Sequence, residues 1–180
     1  MKPHQPRIFE PPVPDIVKER AVTSRKPPLR RSPSNPGLGE IHTEPERDSD
    51  MPYAPAIRVE SPGDLLYISG STDSPLYHKH PHVWEEHDHP CDIKEQTRRA
   101  METIKTILVH EGLTFTDVVK VTKYMTDMRD LDGMVEVLAK YFGSWKPAST
   151  TVCVNQLSTP GARVELDMIA VFPKNKIERK

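Results

Sequence analysis

The chain has 180 residues, a formal net charge of -1 and a pI near 6.7, enough length for one ordinary domain with an appendage. That balance gives no basic field for nucleic acid. No stretch approaches the ~20 apolar residues of a membrane span, and the start MKPHQPRIFEPPVPD lacks the apolar core of a secretory signal. A soluble, cytoplasmic protein without nucleic-acid or membrane partners is expected. Cys91 and Cys153 stand far apart and fit no CxxC pattern, so reduced thiols are expected rather than a disulfide or thiolate metal site.

In chain order, residues 1–50 hold about half of the 19 prolines and show no period of 2 or 3.6. Such a segment cannot offset its own ordering entropy. It is expected to be an extension, either a flexible tail or an arm that wraps a neighbouring subunit, with Ile8, Phe9, Val13, Ile16 and Val17 as anchors. From residue 51 to 174 the texture is that of a folded domain, and 175–180 is a short tail. AIRVES and DLLYISG are predicted strands separated by a hairpin-like break at Pro62 and Gly63.

CDIKEQTRRAMETIKTILVHEG places Ile93, Thr97, Ala100, Met101, Ile104, Ile107 and Leu108 on one helical stripe. Asp92 is its expected N-cap, Glu95 its capping-box partner and Gly112 its stop. DVVKVTKYMTDM is a strand. DLDGMVEVLAKYFG is a second amphipathic helix, with Leu131, Met134, Val135, Leu138, Tyr141 and Phe142 inward. ASTTVCVN and ARVELDMIAVF close the series as strands. The order ββαβαββ predicts an α+β fold, a two-layer sandwich of a mixed β-sheet and two helices. The other sheet face then needs a cover, and a second copy of the chain is the expected one.

The strand around PASTTVCVNQL puts Ser149, Thr151, Cys153 and Asn155 on one face and Thr150, Val152 and Val154 on the other. A small, polar face of this kind meets water, a partner or a ligand. The stretch YHKHPHVWEEHDHPC carries His78, His80, His82, His87 and His89. Its ligand types suit zinc, nickel or copper, but prolines interrupt it and its spacing matches no defined metal motif. No metal and no cofactor are expected. His110 is expected to meet the terminal carbonyls of its helix, and Trp145 to anchor an interface.

Taken together, PYAPAIRVE, LLYISG, IKEQTRRAMETIKTIL, GLTFTDVVKVTKYMTDMRDL, YFGSWKPASTTVCV and ARVELDMIAV resemble the RidA/YjgF/UK114 family of enamine and imine deaminases over roughly residues 51–173. STTVCVNQL with VELDMIAV is most similar to the 2-aminomuconate deaminase branch. The resemblance implies a YjgF-like, chorismate-mutase-like fold, a homotrimer with a central barrel, and clefts at the subunit interfaces for a small-molecule substrate. It implies that the face bearing Ser149, Thr151, Cys153 and Asn155 lines the cleft, with Tyr53, Ser69 and Gly70 as further binding positions. Glu165 matches the carboxylate that activates water for C=N hydrolysis, which needs one group to take and return a proton.

At position 149 the family's 2-iminoacid hydrolases carry an arginine that pairs with the substrate carboxylate. Serine stands here instead. One expectation is that the histidine loop reaches the cleft and supplies the missing group, with Tyr77 and Trp84 as an aromatic wall. Alternatives to a deaminase are a Rid-fold enzyme that dehydrates, tautomerises or cyclises a neutral intermediate, and a non-catalytic trimer that binds a small ligand.

Overall fold

The computed structural model describes residues 29–42, 45–60, 63–79 and 81–174. Strands β1 (Arg30–Arg31), β2 (Leu38–Ile41) and β3 (Ala56–Val59) form an antiparallel sheet of three. β4 (Leu65–Ser71), β5 (Val118–Met125), β6 (Ala148–Cys153) and β7 (Val164–Val171) form a mixed sheet in the order β4-β7-β5-β6. In it β5 and β6 run parallel and the other pairs antiparallel. A parallel pair needs a long crossover, and helix α2 (Leu131–Phe142) lies in it. Helix α1 (Ile93–His110) packs on β4, β7 and α2. This is the expected α+β arrangement of two helices on one face of a mixed sheet. No helix among the described residues is long and apolar enough to cross a membrane.

α1 begins where Asp92 accepts a hydrogen bond from the Lys94 amide and ends through Gly112 at φ +69°, with the Leu113 amide returning to the Leu108 carbonyl. Glu95 does not complete a capping box. Its carboxylate takes the guanidinium groups of Arg98 and Arg99, whose hydrogen bonds lower its pKa to about 2. The buried stripe of α1 follows the predicted one except that Gln96 joins it and Ile107 is only partly buried. Gln96 donates to the carbonyls of Pro90 and Gly161 and accepts from the Arg163 amide, tying the end of the histidine-rich loop to the approach of β7.

Three expectations are corrected. β3 and β4 are not a hairpin, because β3 pairs with β2 and β4 with β7. Trp145 is no interface anchor: it is 2 % exposed within its own chain's core, and its Nε1 donates to the Val118 carbonyl at 2.7 Å. His110 meets the Glu111 carboxylate rather than terminal carbonyls.

The extension read as residues 1–50 divides. Residues 1–28, 43 and 44 lie outside the described residues, as do the tail residues 175–180, whereas residues 29–42 belong to the packed body. Leu38 is fully buried, Asn35 donates to the Val171 carbonyl, and Ser32 donates to the Thr116 carbonyl. Buried Glu40 takes Arg30 on one oxygen and the Lys146 amide on the other. Pairing with β3 satisfies the backbone of a segment whose composition alone offers no core.

Candidate functional site

Alternation along β7 sends Val164, Leu166, Met168 and Ala170 into the core and leaves Glu165, Asp167 and Ile169 half-buried on the opposite face. The β4–β7 register shifts between Ile68 and Ser71, and this irregularity brings Gly70 under the Glu165 side chain. A Cβ at Gly70 would occupy the place of Glu165 Oε1, so the absence of a side chain there makes room for the carboxylate. Glu165 lines an open cleft of about 240 Å³ with Gly70, Ser71, Ser74, His78 and His82. Burial, and secondarily the nearby Asp167 charge, pushes its carboxyl above the ordinary range. Asp167 is held by the Tyr124 hydroxyl, which donates at 2.9 Å.

The small polar strand faces elsewhere. In the parallel β5–β6 register Val121 pairs with Ser149 and Lys123 with Thr151. Val121 is a core residue, so Ser149 and Thr151 lie on the helix-facing side while Thr150 and Val152 share the other side with Tyr124. Ser149 lines a pocket of about 80 Å³ with Pro52, Lys123, Leu138, Phe142 and Trp145. Lys123 is 6 % exposed, and its Nζ donates to Ser149 Oγ at 3.2 Å. Among the described residues no carboxylate pairs with this ammonium. Burial, with the Lys120 charge second, lowers its pKa below the usual lysine value.

The residues singled out from the sequence therefore fall into two groups. Gly70 and Glu165 meet in one cleft, Ser149 borders the other pocket with Thr151 two residues along the same strand face, and within one chain the two groups are on opposite faces of the sheet. Ser69 is exposed on β4, Cys153 is exposed at the end of β6, Asn155 is exposed beyond it, and Tyr53 is half-buried in the turn next to Pro52. Lys123 was missed. Its signal was nonetheless present, since in VKVTKYM it shares the alternation of Val121 and Met125 and so places a charge at an inward position.

The histidine-rich loop reaches the Glu165 cleft, not the Ser149 pocket, where Lys123 is the cation at hand. Tyr77 and Trp84 are 90 % and 74 % exposed, forming no aromatic wall in the single chain. His80 lies outside the described residues. His78, His82 and His87 converge, with ring centroids 4.7 to 5.1 Å apart. His89 stacks on His87 at 5.9 Å between ring centroids and donates through Nδ1 to the buried Asp73 carboxylate at 2.9 Å.

The fold defines a class, and comparison with known proteins gives the same one. The family model described as Endoribonuclease L-PSP matches residues 43–172. A RutC family protein of Pyrococcus horikoshii is 40% identical over 119 residues, 66% of this chain and 86% of its own. TdcF of Escherichia coli, provisionally named a reactive intermediate deaminase, is 32% identical over 67% of this chain and 86% of its own. The structure of TdcF with bound serine aligns at a TM-score of 0.51, covering 61% of this chain and 82% of that one. The Rid family protein YyfB of Yersinia pestis shares the fold, with a TM-score of 0.63 at 20% identity, over 76% of this chain and 99% of that one. The chain belongs to the RidA/YjgF/L-PSP family, whose members include provisionally assigned deaminases of reactive enamines and imines.

Proposed function

We propose that the protein hydrolyses the C=N bond of a small imine or enamine tautomer that carries a carboxylate, in clefts formed between copies of the chain. The observation that carries this reading is the Glu165 carboxylate, seated over Gly70 in an open cleft with its pKa raised. Water adds to the imine carbon as one of its protons passes through Glu165 to the imine nitrogen, giving a carbinolamine. Glu165 then takes the proton of the carbinolamine hydroxyl and delivers it to the nitrogen as the C–N bond breaks, so that a carbonyl compound and ammonia leave. A carboxyl whose pKa lies above the ordinary value serves both halves of this cycle.

Lys123 supports the carboxylate assignment. A nearly buried ammonium with no carboxylate partner is an anion site awaiting its anion, and it lies at the position where Ser149 replaces the family arginine. Serine bound to TdcF is an amino acid of the size proposed here. Because the Lys123 pocket and the Glu165 cleft face opposite ways, one substrate can touch both only if a second copy brings its own β6 face to the first copy's β7 face. Leu65 and Tyr67, exposed on the same face as Glu165, are apolar surface on the first copy for such packing, and a trimer is the proposed assembly. The STTVCVNQL run favours an aminomuconate-like dicarboxylate among the substrates to try.

The test is hydrolysis of 2-iminoacids generated in situ by an amino-acid oxidase, and of 2-aminomuconate, with light scattering to weigh the assembly. Wild type should release ammonia faster than background as a particle of about three chains. Glu165→Gln should lose about 10²- to 10⁴-fold in rate at unchanged mass. A monomer, or equal turnover by the glutamine variant, would overturn the reading.

A further inference from the structure

One ring nitrogen from each of His78, His82 and His87 lies within 4.8 Å of those of the other two. Two facts separate this cluster from ordinary packed histidines. His78 Nδ1 stands 3.0 Å from the Pro75 carbonyl oxygen. A carbonyl only accepts, so Nδ1 carries the proton and Nε2 is the nitrogen with the lone pair. His87 is 7 % exposed, and its Nδ1 is 3.0 Å from Ser74 Oγ. Its Nε2 is buried with no hydrogen-bond partner among the described residues. With Nδ1–H donating to Ser74, that orphan nitrogen also presents a lone pair. A ring held at one nitrogen by a carbonyl or hydroxyl while the other is left as a base is the arrangement of a metal-ligating histidine.

The cluster of Glu40, His42 and Asp48 is a useful contrast. Arg30, Lys146 and His42 already occupy its carboxylates, which makes it an ion-pair network with its charges met. The histidine group itself contains no carboxylate, and packing its rings edge to face leaves the buried His87 Nε2 without a partner among the described residues.

We propose that His78, His82 and His87 bind one divalent transition-metal ion of the zinc, cobalt or nickel class. Three neutral imidazoles suit these ions and not magnesium or calcium. Zinc–nitrogen distances of about 2.0–2.1 Å set ligand nitrogens about 3.3 Å apart in a tetrahedron, so the rings close slightly when the ion enters. His78 and His82 also line the cleft that holds Glu165, and the fourth position of a three-histidine site opens on that cleft. The ion site does not depend on the C=N chemistry, and its test is binding rather than turnover.

Full-length, untagged protein is stripped with a chelator and titrated with Co²⁺, followed by its visible ligand-field absorption and by competition with Zn²⁺. One equivalent per chain should bind with the intense band of a four-coordinate site, and Zn²⁺ should displace it. His82→Ala, at an exposed position with little call on folding, and His87→Gln should each weaken binding by about 100-fold or more, and Ser74→Ala by about tenfold through the lost partner of His87. Absence of the band, or binding of the same strength and stoichiometry in His82→Ala and His87→Gln, overturns the proposal. Melting curves of the metal-free proteins show whether His82→Ala is folded, so its result stands even if His87→Gln does not fold.

Discussion

The two faces of the four-stranded sheet solve the problem of a buried charge differently. On the face opposite the helices, Glu165 and Asp167 sit half-buried in the same strand alternation. Burial and the mutual repulsion of these carboxyls raise the Glu165 pKa, and the open cleft lets water exchange with it. On the helix-facing side, Lys123 is almost wholly enclosed, with one hydroxyl for a partner and a lowered pKa. One face thus holds a proton acceptor tuned upward and the other a cation whose desolvation is uncompensated. Both shifts weaken the charged form, and a bound anion reverses the shift only for the lysine. On the proposed function, anion binding falls to Lys123, one strand inward from Ser149, and proton transfer to Glu165.

The largest effect on this contrast is expected from Gly70→Ala. The added methyl would displace the Glu165 carboxylate. The end of a flexible side chain can yield, so the fold should survive, but a misplacement near 1 Å costs about 10²-fold in rate. Turnover should fall with little change in melting temperature. A variant with normal turnover would show that the carboxylate need not occupy this position.

Next in size is Lys123→Val, which should raise KM about 10- to 100-fold, the equivalent of one charged hydrogen bond of roughly 1.5–3 kcal/mol, and leave kcat nearly intact. Thermal stability should move the other way. The lowered pKa means that the unfolded chain holds this proton more tightly, so the native state is penalised below the folded pKa and gains stability as pH rises from there toward the unfolded value. Removing the lysine should therefore raise the melting temperature at neutral pH. Ser149→Arg is expected to gain nothing on its own, since it sets a second cation beside Lys123 Nζ. Combined with Lys123→Val, it should recover much of the lost affinity. Ser149→Arg activity that is independent of residue 123 would show that the two positions do not share a ligand.

Much of the fold was legible because it rests on periodicity. Both helices, the last three strands and the α1 N-cap at Asp92 follow from local patterns that tertiary packing reinforced. Failures arose where pairing partners are distant in sequence. β3 looked like the first arm of a hairpin because nothing local announces that β2, inside a proline-rich stretch, takes its edge. Trp145 looked like an interface residue because the Val118 carbonyl that receives its Nε1 proton is far away in the chain. The candidate site divides along the same line. Glu165 and Gly70 were found through motif resemblance, but their contact depends on a register shift that the sequence does not signal. Lys123 stands at an inward position of an alternating strand, and alternation alone does not distinguish a buried ammonium from a shifted register. The three converging histidines span ten positions with Pro81 among them, so only the folded loop brings them together.

The smallest expected effect is a shift in a pH profile. Glu165 must be ionised to take a proton from water, so the rate should rise with pH through its raised pKa, giving an acid limb above the ordinary carboxylate range. Burial is the larger cause of that shift and the Asp167 charge the smaller. Asp167→Asn removes only the charge, because the amide oxygen can still accept from the Tyr124 hydroxyl. The acid limb should move toward lower pH without returning to the value of an exposed glutamate, and the variant should outpace wild type on the acidic side of the limb while matching it at the plateau. Profiles of kcat/KM against pH for the two proteins measure this directly. An unmoved limb would mean that burial alone sets the Glu165 pKa, and a limb moved upward would mean that the titrating group is not Glu165.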